Sequence, residues 1–534
     1  MSQTTSSMSF SSQSVRSQTV AAVAFPSRSE SERAAPVISR RALFTGFRHR
    51  QVAKHAANLG VMSVLAGGAL SARVEAAPPE VSGDVDPGSV LVKLTKRITM
   101  GATLAELALA NSFGYQGYLD YQLNAAAIPE DPTLVTRLEA LTSLTMTPQQ
   151  MLALTASQVS NELIEAAIVR GVWSKRQLLE RMVECWTDHF NIDIRNESDQ
   201  YLKTVDDRGV VRPNALGKFP DLLRASAHSP AMLYYLGNNL NRVGKPNENY
   251  ARELMELHSL GVDGGYTQQD VQEIARCFTG WGLYGLSASD PNSGLFRYRS
   301  SDHDNGPKLV LGQTIAAGGG MQDGETVLNI LLAHPSTPKF IARKICRTLL
   351  SEAPSQSVID SVAATYTATG GDIKAMIRTA LAPNVLADAP PKYKRPFHVF
   401  VSALRALPTA ITSTSTLRSR LNAAGHVPFY WSTPDGYPDT LNYWVGLVIA
   451  RWNFGAALMA NQISGVTVNG ASFFTGITTA AQTVDKLNAA IFLGEMPAVD
   501  QARVKAYLLP DNPSATKKNE AIGLAIGSPS FQWY

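Results

Sequence analysis

Residues Asn247–Trp281 read NENYARELMELHSLGVDGGYTQQDVQEIARCFTGW, and the spacing of their apolar side chains decides the fold class. Tyr250, Leu254, Leu257 and Leu260 recur at three- and four-residue intervals, which puts them on one face of a helix. Gly261, Gly264 and Gly265 interrupt that pattern. Thr267, followed three residues later by Asp270, predicts a second helix start close to a capping box. Val271, Ile274, Ala275 and Phe278 give the second helix its buried face. The segment therefore predicts a helical hairpin. Its first helix is unusually polar, with Glu248, Arg252 and Glu256 in one stripe and Asn249, Glu253 and Glu256 in another. Ionisable groups so close to a core cost free energy unless they pair or bind something.

The same periodicity runs outward from the hairpin. Helices are predicted over 88–98, 104–112, 148–170, 175–190 and 218–228 before it, and over 323–333, 337–351, 356–368, 372–382, 393–406, 440–460, 483–493 and 514–526 after it. Strand signals are few: Leu295–Arg299 and Leu309–Leu311 flank SSDHDNGPK and predict a small β-hairpin insertion. No repeat of fixed period is present. The expectation is a mainly α protein with one large helical domain over 87–534, preceded by a linker at 77–86 (PPEVSGDVDP). Segments 408–416 and 463–482, rich in Thr, Ser, Ala and Gly, read as surface loops.

Residues 1–76 read as a disordered export leader. Ser39-Arg40-Arg41-Ala42-Leu43-Phe44 fits the twin-arginine pattern, a weakly apolar run follows from Ala56 to Ala72, and Val74-Glu75-Ala76 offers a small-residue cleavage site. The run is shorter than the roughly 20 residues a membrane span needs, so no transmembrane anchor is expected after cleavage, and the destination is the periplasm or the extracellular surface. The leader holds nine Lys and Arg against three Asp and Glu, so its removal takes the net charge from +4 to −2. A nucleic-acid partner loses its electrostatic basis. Cys185, Cys277 and Cys346 lie in apolar helical patterns without CxxC spacing and read as buried small hydrophobes.

Several segments carry a family resemblance. PNENYARELMELHSLGVDGGYTQQDV with ARCFTGW, ECWTDHFN at 184–191, LGKFPDLLRASAHSPAMLYYLGNNLNRVGKPNENYARE at 216–253, HDNGPKLVLGQ at 303–313, HPSTPKFIARKICR at 334–347, KYKRPFHVFVSALRAL at 392–407, DGYP at 435–438, YWVGLVIARWNFGAAL at 443–458 and SPSFQ resemble, in order, the bacterial family catalogued as domain of unknown function 1800. The resemblance implies an exported, largely helical protein and no assigned activity.

HExxH, GxxxxGK[ST], GxSxG and EF-hand patterns are all absent, which leaves a dispersed polar set. Glu253, bordering the apolar helical face, and His303, Asp304 and Lys308, on the loop between the predicted strands, are the catalytic candidates. Asn241, Asn247, Arg252 and Glu256 are the ligand-binding candidates, and His189 and His258 could contribute to a divalent metal site. The expectation is that helix 252–258 and loop 303–308 meet in one cleft near His189. An intrahelical ion-pair ladder through Glu248, Arg252 and Glu256 explains those residues equally well. Two functional readings compete: an exported hydrolase or transferase with a polar or metal-containing cleft, and a non-catalytic envelope or surface protein that binds a polymer or protein partner.

Overall fold

The computed structural model describes residues 87–534; the leader, the twin-arginine segment and the 77–86 linker lie outside the described residues. Those that follow are mainly α-helical, with three two-stranded sheets. In chain order, the elements that position the site begin with α1 (Pro87–Ile98), α2 (Gln177–His189), α3 (Glu248–Glu256) and α4 (Gln268–Cys277). The strands β1 (Trp281–Leu283), β2 (Phe296–Tyr298), β3 (Lys308–Val310) and β4 (Gln313–Ile315) follow. Next come α5 (Gln322–Ala333), α6 (Ser336–Leu349), α7 (Pro396–Ala406), β5 (Thr409–Ile411), α8 (Val448–Met459), β6 (Val466–Val468) and α9 (Ala515–Gly527).

The hairpin forms as its periodicity dictates. Asn247 caps α3 by accepting from Asn249 N at 3.0 Å. At the start of α4 the capping box is complete: Asp270 accepts from Thr267 N at 2.8 Å, and Thr267 Oγ1 accepts from Asp270 N at 3.2 Å. Helix α3 stops at Glu256, four residues short of the apolar pattern. The chain must turn at Gly261, where φ is +86° and a Cβ would lie 2.8 Å from the Phe340 ring.

The sheets correct the strand reading. Leu295–Arg299 does not pair with Leu309–Leu311. Instead β2 pairs antiparallel with β1, and β3 with β4. The β3–β4 connection uses Leu311 and Gly312, both at positive φ, as a tight primed hairpin turn requires. The two segments expected to be loops supply β5 and β6, which pair with each other. The helix expected over 440–460 is broken into Leu441–Trp444, Val445–Leu447 and α8.

The described residues, 87–534, lie in one compact unit, which holds two large apolar cores and a smaller aromatic one. Helices α2 to α6 feed the first core, through residues such as Trp186, Leu254, Ile274, Leu328 and Ile345. Helices α7, α8 and α9 feed the second, through Phe400, Phe454 and Ile522. Tyr393, Tyr437, Trp444 and Trp533 make the third. Among the described residues no helix is long and apolar enough to cross a membrane.

Candidate functional site: a buried ion network and its cavity

The sequence-predicted residues fall into three separate places. Asn241 and Asn247 hold turns. The Asn241 amide donates to Asn238 Oδ1 and Ala275 O and accepts from Asn247 N, while Asn247 donates to Gly237 O. Their amides are occupied by these internal hydrogen bonds, which fix the turn that leads into α3. Arg252 pairs with Glu248 at 3.0 Å and with Gln268 at 2.9 Å, forming a surface ladder. Glu253 and Glu256 on the same helix are half-buried, and Glu253 raises the phenolic pKa of Tyr235 and Tyr266 as a secondary effect to their burial.

His303, Asp304 and Lys308 are not an exposed loop. The side chains of His303, Lys308 and Asp323, the last from the first turn of α5, are at most 2% exposed. Thr279 Oγ1 donates to Arg276 O and accepts from Asp304 N. Imidazole Nδ1 therefore donates to Thr279 O at 2.8 Å, and Nε2 faces Asp323 at 3.1 Å. Lys308 Nζ donates to both Asp323 and Asp304 O, and Asp304 takes Arg276 Nε at 2.8 Å. This is a packed lock that ties β3 to α4 and α5. Asp323→Asn should cost about 3 kcal/mol, the lower range for breaking a buried pair, read by chemical denaturation.

Helix α4 also keeps the two predicted segments apart. Gln268, its first residue, touches Arg252 and Glu248, whereas Arg276 touches Asp304. Eight residues of helix span about 12 Å. Arg252 and Asp304 thus meet α4 at positions eight residues apart.

His189 and His258 sit in an aromatic nest of Phe190, Phe219 and Phe340, their rings 5.9 Å apart. His189 Nε2 meets His258 O at 3.1 Å. Burial holds the His189 imidazole well below its usual pKa and that of His258 at about 3. Among the described residues no group of three or more His, Cys, Asp or Glu side chains could hold a metal ion. The His189–His258 metal expectation therefore lacks a donor set.

The densest polar centre lies elsewhere, where α2 of the first core meets the start of α7 in the second. Arg181, Glu184 and Asp188 recur at three- and four-residue steps along α2, hence on one face. Arg395 immediately precedes Pro396, the first residue of α7, and His398 follows one turn in. Arg395 reaches Glu184 at 2.6 Å and Asp188 at 2.5 Å. The other Glu184 oxygen meets His398 Nε2 at 2.6 Å, and Tyr534 O–H contacts His398 Nδ1. Arg181 Nη1 donates to Tyr534 Oη at 3.1 Å. Lys392 pairs with Asp439 at 2.7 Å. The strip 392–394 is stitched to 532–534, with Tyr534 N donating to Lys392 O and Lys394 N to Gln532 O. Gly436 closes the centre: at φ +73°, a Cβ there would lie 2.0 Å from Asp188 O.

Electrostatics sort these groups. Burial opposes ionisation of Glu184, but Arg395 and His398 outweigh it and hold its carboxyl well below the usual range. Burial and the Glu184 charge push Asp188 up against the pull of Arg395. Burial keeps His398 neutral, its pKa near 3 despite Glu184. Asp439 resists burial through Lys392 and Arg395 and falls to about 2. Nearby, Arg97 donates to Pro390 O while its Nε and Nη1 find no partner, and Arg451 leaves Nε and Nη2 unpartnered over the Tyr393 ring. Buried cations thus outnumber carboxylates.

At the edge of this centre is a small cavity, about 270 Å³ counting its open mouth and about 20 Å³ in its depth, room for roughly one water. Lys96, Lys394, Ser402 and Phe531 line it.

Fold and site together define a mainly α-helical protein organised around a buried ion network beside a small cationic cavity. The chain belongs to the family described as protein of unknown function (DUF1800), whose profile matches residues 93–533. No curated protein and no solved structure matches it.

Sequence reading missed Arg181, Glu184, Asp188, Lys392, Lys394, Arg395, His398, Asp439 and Tyr534. The 181–184–188 stripe was available to the same spacing rule that found Glu248–Arg252–Glu256. Its partners lie more than 200 residues away, and no local signal joins them.

Proposed function

We propose that this protein is an exported enzyme of hydrolase or transferase type, and that its substrate is a small anion held at the Lys96–Lys394–Ser402 cavity. The observation that carries the reading is Lys394 at the cavity wall, 5.6 Å from the ring of Tyr534, which ends the Glu184–His398–Tyr534 chain. Tyr534 O–H donates to a neutral imidazole whose other nitrogen donates to an ionised carboxylate. Burial pushes the His398 imidazole down and the Tyr534 phenol up, so the chain holds the phenol protonated as a fixed hydrogen-bond donor, with Arg181 against the same imidazole. Lys96 at this cavity is paired with Glu495, so the sign of the ligand is selected by Lys394, which has no carboxylate partner among the described residues, and by the surplus of buried cations behind it.

Calorimetric titration of the exported protein with oxalate and with inorganic phosphate tests the site. At least one should bind, and Lys96→Met should weaken that binding about tenfold, or about 1.4 kcal/mol. Binding of neither would overturn the reading. Export to the periplasm or cell surface rests on Arg40 and Arg41. Changing both to Lys should leave precursor in the cytoplasm, and normal export of that variant would sink the twin-arginine assignment.

A second reading, non-catalytic binding of a protein or polymer, is favoured by one surface. Ile449 (69% exposed) and Trp452 (51%) lie one turn apart on α8, and α9, which packs on α8, exposes Leu524 (50%). Trp452→Glu should abolish such an association and leave anion binding intact.

A further inference from the structure

Lys394 differs from the other buried lysines. Lys203, Lys308 and Lys392 each have a carboxylate partner, in Asp206, Asp323 and Asp439. Among the described residues, no carboxylate or hydrogen-bond acceptor lies against Lys394 Nζ. It sits 4.2 Å from the Phe531 ring centroid and 5.6 Å from that of Tyr534, at the wall of the cavity. Its charged neighbours are cations, Lys96 and Arg451. An amine that is desolvated, flanked by like charge and open to a cavity is the arrangement that makes lysine a nucleophile.

We infer that Lys394 forms an imine with a small 2-oxo acid, its carbonyl carbon at Nζ and its carboxylate toward Lys96. The inference rests on reading the cavity as an anion site. In the step, the amine lone pair attacks the carbonyl carbon and a C–N bond forms. The carbonyl oxygen then departs as water with both amine hydrogens, leaving C=N; no oxidant or reductant is needed. Burial, with Lys96 and Arg451, pushes the Lys394 ammonium down to about 7, so a large share of the free amine is present at neutral pH. The inner space of the cavity, sized for about one water, admits only the carbonyl group, so the carboxylate of a small acid stays at the open mouth. The rings of Phe531 and Tyr534 stabilise the residual cationic form without the carboxylate that would keep it protonated.

The test uses the exported protein, glyoxylate and cyanoborohydride at about pH 7, where surface lysines near their reference pKa of about 10.4 stay protonated. Peptide mass spectrometry should find one carboxymethyl group on Lys394, introduced at least tenfold faster than on exposed Lys339 or Lys505. Lys394→Met, checked for folding by circular dichroism, should lose the fast phase, while Lys505→Met, at an exposed lysine away from the cavity, keeps it. Oxalate, which offers carboxylates and no reactive carbonyl, should protect Lys394. If Lys394 labels no faster than Lys339 while oxalate still binds, the imine is overturned and the anion site stands. If oxalate does not bind and Lys394 is not labelled, both fall.

Discussion

Stability should fall steeply as the pH drops from about 6 to about 4. His189, His258, His398 and His426 are buried and held neutral, with pKa values near 3 for His258 and His398 and well below normal for the other two; in each, burial is the main cause. In the unfolded chain each titrates near 6.5. Through this window the unfolded state therefore binds up to four protons that the native state refuses, and stability is lost as pH falls. Two carboxyls oppose the trend. Burial raises Asp199 to about 7, so the native state holds that proton and gains on acidification, and the upward shift of Asp188 acts in the same direction. Set against Asp199 alone, the four imidazoles leave up to three protons, a slope of at most about 4 kcal/mol per pH unit. Across two units that rivals the whole stability of an ordinary domain, about 5–15 kcal/mol. Urea titrations at pH 7, 6, 5 and 4 measure it, and a flat profile would refute the neutral-imidazole assignment.

Removal of Arg395 should be the most damaging single change in the network. The side chain is 8% exposed and bridges two carboxylates. Arg395→Met keeps the aliphatic volume but leaves Glu184 and Asp188 desolvated without their main partner. Breaking one buried pair costs roughly 3–5 kcal/mol; here the loss should reach about 5 kcal/mol. Neutralising the carboxylates as well, in Glu184→Gln/Asp188→Asn/Arg395→Met, should recover part of that loss, because the penalty comes from charge left unpaired rather than from contact removed. Denaturation free energies compare the two variants. A cost below about 1 kcal/mol for the single change, the scale of an exposed pair, would show that the network is solvated.

Much of the fold was legible because long helices repeat their signal every turn. The start of α4 could be read to the residue from Thr267 and Asp270, and α5 and α9 fall within one residue of their expected starts. Three-residue strands carry no such repetition. Trp281–Leu283 is too short to show alternation, so Leu295–Arg299 was matched to the wrong partner. The site was hidden for a different reason. Charge in a sequence suggests solvent, and only tertiary pairing reveals that Lys308 or Arg395 is buried. The 393–406 helix prediction also absorbed Tyr393–Arg395 into the helix, although Pro396 at its first position marks where the helix begins. That boundary matters, because the extended strip before Pro396 carries Lys392, Lys394 and Arg395 into the centre.

The position of the network between the two large cores bears on how long the folded molecule lasts. Apolar surfaces that separate by a fraction of an ångström lose only part of their dispersion contact. Ions held at 2.5–2.6 Å in a largely buried junction lose their attraction at once and recover full hydration only when more water has entered. Parting the cores therefore passes through a state in which Glu184, Asp188 and Arg395 have neither one another nor solvent. That state raises the barrier to opening more than it deepens the native well, and it slows unfolding selectively. A protein so built has a lifetime longer than its equilibrium stability would suggest.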